Sequence, residues 1–311
     1  MKPYRKLLIA FAAIVLCACV LAPLAKPLVD RAVPANRKLA DKLHYNEATR
    51  TYRFGKVFRR LLMGSAILVL LVGARRLEIG SVATLGFRGR SRWRRDLVSG
   101  IAIGLVSMAA FMVALVLLGA AVPKGAVEPG KLLGDMAKFL LQVVCIGLFE
   151  EALFRGVVLQ TLMKDMRFLA AAVLSSVLYS LLHFFQAHVP VGMGSDVLIG
   201  FRSLAVCFAP VVSDPSIIPA FLGLFLLGMV FAYSYRWTGA LYLPIALHAS
   251  WVFALKTAGK LLFLGLGKPE WLCGTKQIVD GVLGCVFLLA VSLLLWFLYG
   301  RGGASSAGEA R

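Results

Sequence analysis

Long apolar stretches, separated by connections rich in arginine, lysine, glycine and proline, set the pattern of this chain. A helix needs roughly 20 mostly apolar residues to cross a bilayer, and about eight stretches approach that length. They run near 7–25, 60–74, 98–122, 138–163, 167–186, 216–236, 240–258 and 277–299, the second being short unless it extends to Leu77. None alternates with period two over the length of a barrel strand, which argues against an outer-membrane β-barrel. The pattern predicts an all-α membrane protein with about eight transmembrane helices.

Composition agrees: 60% of the 311 residues are hydrophobic, 16% are charged and the mean hydropathy is +0.84. That is too much apolar surface for an ordinary soluble domain. Lys2, Arg5 and Lys6 followed by Leu7–Leu16 resemble a signal sequence, and Leu16-Cys17-Ala18-Cys19 loosely resembles a lipoprotein cleavage site. Because the rest of the chain inserts many times, an uncleaved first span is the reading adopted, with Cys17 and Cys19 facing lipid or packing. The six cysteines form no C-x-x-C pair and no Cys/His cluster, so neither a disulfide framework nor a structural zinc site is indicated. No repeat of 20 to 50 residues is visible.

The net charge of +19 is unevenly spread. Arg75, Arg76, Arg88, Arg90, Arg92, Arg94 and Arg95 crowd one connection, whereas the 187–215 connection holds only Arg202. The positive-inside rule then places both termini, the 75–97 loop and the Lys164–Arg167 turn in the cytoplasm. The first loop, 26–59, fits this scheme badly, since it carries Arg31, Arg37, Lys38, Lys42, Arg50, Arg53, Lys56 and Arg59. It folds back on the membrane surface, or the first two spans are assigned differently, or a longer loop escapes the rule. Basic residues that flank apolar spans without a recognition motif point to anionic lipid and not to nucleic acid.

The deep ionisable residues are few. Glu150 and Glu151 are the only acids near the middle of a predicted span, Arg155 follows four residues after Glu151, and His183 and His248 lie well inside other spans. Ionised groups are expensive in hydrocarbon, so such a set is functional by default. Glu150 lies fourteen residues before Lys164 and His183 sixteen after Arg167, depths of about 21 and 24 Å from one membrane face. His248, ten residues beyond Thr238, comes out about 15 Å from that face, within reach of a tilted helix.

Glu151 and Arg155 stand in the favourable i,i+4 order, which marks them as a structural pair and leaves Glu150, about 100° around the helix, as the candidate base. Ser176, Tyr179 and His183 share one face of the next helix. A carboxylate and an imidazole that converge on one water can take its proton, and His248 can donate to the oxyanion formed on attack at an amide. A deep acid-acid-arginine cluster can also staple helices or line an ion path, and Tyr179 and Ser176 taken singly read as packing residues. His44 and His188 fall in loops and receive no role, and Trp237, Trp251 and Trp296 read as interface anchors or packing residues.

Glu150-Glu151-x-x-x-Arg155, Tyr179-x-x-x-His183 and His248 within Leu243-Pro244-Ile245-Ala246-Leu247-His248 resemble the three motifs of the CPBP intramembrane protease family. That family comprises type II CAAX prenyl proteases and bacteriocin-processing or immunity proteins formerly grouped as Abi proteins. The resemblance covers about 130–258. It implies a core of helices four to seven around a membrane-embedded cavity, with Glu150 activating water, His183 as its partner, His248 stabilising the oxyanion, and Glu151, Arg155 and Tyr179 in support. The domain plan that follows is N-terminal helices and basic loops over 1–125, a catalytic core over 126–260, and a C-terminal helix and tail over 261–311.

Two positions depart from the family pattern. Tyr179 replaces the usual Phe, and Val252 stands where Asn usually follows the third-motif histidine by four residues. Loss of an oxyanion donor costs about 10²–10³ in rate, and Ser250, about 200° from His248 on an ideal helix, is a poor substitute. The implied activity is therefore hydrolysis of a peptide bond in a membrane-associated protein or peptide, with no cofactor required. If zinc were used, Glu150, His183 and His248 would ligate it. The other readings are a catalytically silent scaffold or immunity factor, favoured by Val252, and a secondary transporter, which would call for inverted repeats.

Overall fold

A helix stands at each of the eight apolar stretches, since only a helix satisfies every backbone N–H and C=O within its own segment. The computed structural model describes residues 2–77, 80–89, 92–184, 190–213, 217–264, 269–274 and 281–301; Arg90, His188, Pro215 and the C-terminal tail lie outside them. In chain order the elements begin with α1 (Pro3–Ala35), α2 (Arg37–Leu43), β1 (Thr51–Tyr52), α3 (Gly55–Gly73), α4 (Trp93–Leu117), β2 (Ala121–Pro123) and α5 (Pro129–Glu151). A π-helical segment, Ala152–Leu159, joins α5 to the short α6 (Gln160–Leu162). Then come α7 (Phe168–His183), β3 (Val191–Gly192), α8 (Ile199–Ser213), α9 (Ile218–Thr238), α10 (Tyr242–Leu261), β4 (Leu262–Leu264), α11 (Glu270–Cys273) and α12 (Val282–Leu295).

Among the described residues, five helical stretches are long and apolar enough to cross a membrane: Pro3–Ala35, Trp93–Leu117, Pro129–Leu162, Ile218–Thr238 and Val282–Gly300. The helices at the other three expected stretches fall short of these five in length or in apolar character. α3 carries Lys56, Arg59 and Arg60 in its first turns, α7 has only 16 residues, and α10 holds His248, Lys256 and Lys260. The 187–215 stretch, expected as a connection, contains α8, whose 15 residues span about 22 Å, short of a full bilayer crossing.

The chain divides into two compact units. The first comprises 1–78 and 181–215, where α1, α3 and α8 pack around Ala18, Cys19, Ala22, Phe58 and Ile199. A Cβ at Gly200 would collide with the Cys19 carbonyl, so α8 meets α1 backbone to backbone and Cys19 is a packing residue. Lys26, read from the sequence as the start of a loop, is instead 2% exposed within α1. Its ammonium donates to Asp30 Oδ2 at 2.9 Å and to the carbonyls of Gly192 and Gly194 at 2.9 and 2.8 Å. A buried lysine is tolerated only when its charge and its protons are matched in this way. Tyr52 donates to Asp30 Oδ1 at 2.7 Å, and burial together with that carboxylate pushes its phenol well above the usual pKa.

The second unit comprises 79–180 and 216–311. Its centre is α10, which α4 and α5 flank at close range. A Cβ at Gly100 would lie 2.6 Å from Ala246 Cβ and one at Gly104 2.6 Å from Ser250 Cβ, so a Gly-x-x-x-Gly stripe on α4 meets Ala246-x-x-x-Ser250 on α10. Small residues at this spacing let membrane helices approach where the hydrophobic effect offers no drive. Gly147 of α5 faces the Ile245 carbonyl and Ala249 on α10, and Gly228 of α9 faces Ser176 of α7. Met108, Phe111, Leu115, Phe231, Leu247, Trp251 and Leu288 fill the core, and Trp251 Nε1 donates to Ser107 Oγ at 3.0 Å.

Candidate active site

The tight contacts of α10 with α4 and α5 fix where His248 can point. Gly147 lies one turn before Glu151 on α5 and faces Ala249 on α10, so the carboxylates and the imidazole meet at the closest approach of the two helices. His248 Nδ1 lies 2.9 Å from Glu151 Oε1, and His248 Nε2 lies 3.9 Å from Glu150 Oε2. One ring nitrogen is thus hydrogen-bonded while the other faces the second acid across a gap too long for a direct hydrogen bond.

Glu151 and Arg155 form the pair that their spacing predicts. Arg155 Nη1 donates to Glu151 Oε1 at 3.1 Å, and Arg155 Nη2 donates to the Gly228 carbonyl at 2.9 Å. Arg155 sits in the π-helical segment, a geometry that recurs at functional sites. Its guanidinium carbon stands 4.9 Å from the ring centre of Tyr179, 5.1 Å from that of Phe231 and 5.8 Å from that of Phe154, an aromatic box that suits a cation withdrawn from water. Glu151 and Arg155 are both fully buried.

Phe231 also stacks on His248, with ring centres 5.0 Å apart and planes 11° from parallel. Tyr179 packs edge-on against Phe154 at 5.0 Å, and its hydroxyl lies close to the Glu150 carboxylate. The hydroxyl gained by Tyr in place of Phe therefore lies beside the candidate base. Ser176 packs against Gly228, and Ser250 faces Gly104 of α4, so it is no substitute donor beside His248. Val252, one turn beyond His248, is half-buried.

The structure brings together Glu150, Glu151, Arg155, Tyr179 and His248 within one unit. His183 is the last residue of α7 and falls in the other unit, so its part in the site rests on its spacing in the sequence. Sequence reasoning assigned Glu151 to Arg155 alone and missed its bond to His248. It also missed Phe231 and Gly228, whose roles depend on the three-dimensional meeting of α9 with Arg155. Among the described residues, no group of three or more His, Cys, Asp or Glu side chains is placed to hold a metal ion.

Residues 132–254 match the model of the family described as "Type II CAAX prenyl endopeptidase Rce1-like". Neither the curated proteins nor the solved structures yield a match. The matched stretch runs from the first turn of α5 through most of α10 and includes each residue of the site just described. Over residues 132–254 the chain is therefore similar to the Rce1-like family of type II CAAX prenyl endopeptidases.

Proposed function

We propose that the protein is an intramembrane endopeptidase in which Glu150, with His183, takes the proton of an attacking water and His248 stabilises the oxyanion. The observation that carries this reading is the contrast within the cluster: the Glu150 side chain is 22% exposed, whereas those of Glu151, Arg155 and His248 are all but closed off. Of the two acids, Glu150 alone can meet a water or a substrate.

The chemistry follows from the hydrogen-bond roles. A carboxylate paired with a guanidinium can only accept, so His248 carries its proton on Nδ1, toward Glu151. The Nε2 nitrogen is then the working atom. With a proton on Nε2 as well, His248 donates to an oxyanion. Glu150 takes a proton from water as the hydroxide adds to the carbonyl carbon, and the developing negative charge settles toward Nε2. The same proton, returned to the leaving amine, completes hydrolysis.

Carboxylate and imidazole suffice for these transfers, so a metal-free mechanism is the simpler assignment. The substrate is a protein or peptide whose cleavage region enters the membrane core. A second reading, a silent scaffold or immunity factor, draws on Val252, which offers no donor one turn from His248. Hydrolysis of a membrane-anchored peptide by reconstituted protein tests the assignment. Glu150→Gln, His183→Ala and His248→Ala should each abolish it, and a His183→Ala protein of normal activity would remove His183 from the site.

A further inference from the structure

At the end of α4 remote from Arg92, Arg94 and Arg95, the start of α5 and the end of α10 enclose a bowl of about 440 Å³ lined by Lys124, Val127, Lys131, Asp135, Lys260 and Phe263. The antiparallel pair β2–β4 forms its rim. With 25 residues α4 is about 37 Å long, so the bowl lies at headgroup depth if α4 crosses the bilayer. Lysine and arginine concentrate on one side of membrane proteins. A second cationic group at the opposite end of α4, formed by Lys124, Lys131 and Lys260, calls for its own counter-charge.

The protein supplies only part of that charge. Asp135 is held by Lys260 at 2.8 Å with Lys138 at 4.0 Å, and Glu128 is the other acid in the lining. Lys124 donates to the Gly259 carbonyl at 2.5 Å and lies 5.0 Å from the ring centre of Phe263. Lys131 makes no ion pair among the described residues. Beside the lysines, Val122 on β2, Leu261 at the end of α10 and Phe263 on β4 are exposed, each by more than a third. A cationic bowl beside an exposed apolar rim matches a molecule with a phosphate at one end and acyl chains at the other.

We propose that this bowl binds the headgroup of an anionic phospholipid, with the phosphate between Lys124 and Lys131 and an acyl chain against Phe263. The site lies apart from Glu150 and His248, and its existence does not depend on the peptidase reading. Native mass spectrometry of the full-length protein, titrated in detergent with phosphatidylglycerol or phosphatidylcholine, tests it. The Lys124→Gln/Lys131→Gln protein should lose phosphatidylglycerol affinity by roughly 10–30-fold, as expected for two membrane-surface lysines, with phosphatidylcholine adducts unchanged. Arg59→Gln/Arg60→Gln, exposed residues of α3, removes the same charge elsewhere and should leave affinity near wild type. An equal loss in that control would show general charge attraction and overturn the proposal. Full displacement by inorganic phosphate would also overturn it, by showing a site for the free anion. If the double variant folds poorly, Lys131→Gln alone gives the same comparison, and Lys131→Arg should restore binding.

Discussion

His248 and Glu151 are joined by a 2.9 Å contact from Nδ1 to Oε1, and that oxygen also receives Arg155 Nη1 at 3.1 Å. One carboxylate oxygen therefore ties a histidine of α10 to an arginine of the π-helical segment. The histidine is held in one ring orientation, which turns Nε2 toward Glu150. A pair that the i,i+4 rule marks as structural thus also positions the histidine proposed to act on substrate.

Arg155→Ala should lower folded yield as well as activity. It leaves Glu151 buried beside His248 without its guanidinium, and breaking a buried pair in this way costs about 3–5 kcal/mol. Thermal unfolding in detergent, read beside hydrolysis, checks this. Normal yield with selective loss of cleavage would make Arg155 a substrate-binding residue instead.

Gly104→Leu should disrupt the α4–α10 contact, because even a Cβ at position 104 would lie 2.6 Å from Ser250 Cβ. Overpacking of this kind costs about 1–3 kcal/mol or more. Displacement of α10 would carry His248 away from Glu151, so activity should fall further than stability alone explains. An active protein with unchanged melting temperature would contradict the close approach.

Much of this arrangement is legible in the sequence. Glu150, Glu151, Arg155 and His248 can be singled out because ionisable groups deep in apolar helices are few, and helix rise alone brings their depths into register. The Gly100–Gly104 stripe and its partner Ala246–Ser250 are also visible at helical spacing, although only the packed structure shows that they face each other. The double use of Glu151 Oε1, the stacking of Phe231 on His248 and the Gly228 carbonyl beneath Arg155 are not legible, because each depends on the rotation of helices that are distant in sequence. Lys26 was misplaced for a related reason: α1 runs on to Ala35, past the apolar window, since Asp30 and the Gly192 and Gly194 carbonyls satisfy its ammonium.

Val252→Asn should raise turnover. Position 252 lies one turn beyond His248, so an Asn amide there points toward the same region. Restoring one good oxyanion donor is worth up to about 10² in rate in a preorganised site. A neutral effect in a well-folded protein would mean that another group, such as the Tyr179 hydroxyl beside Glu150, already serves.

Metal analysis of purified protein should show less than stoichiometric zinc, with activity retained after chelation. Glu150, His183 and His248 would be the ligands if zinc were present. Stoichiometric zinc, lost together with activity on chelation, would replace the metal-free mechanism.

The most direct test of the central claim compares membrane peptides from cells that express the wild-type protein or Glu150→Gln at equal levels. Because Gln keeps the shape of the side chain but cannot take a proton from water, an uncleaved substrate should accumulate with the variant, and its cleavage products should appear only with the wild-type protein. Identical peptide populations, or cleavage that persists in purified Glu150→Gln protein, would contradict a peptidase built on Glu150.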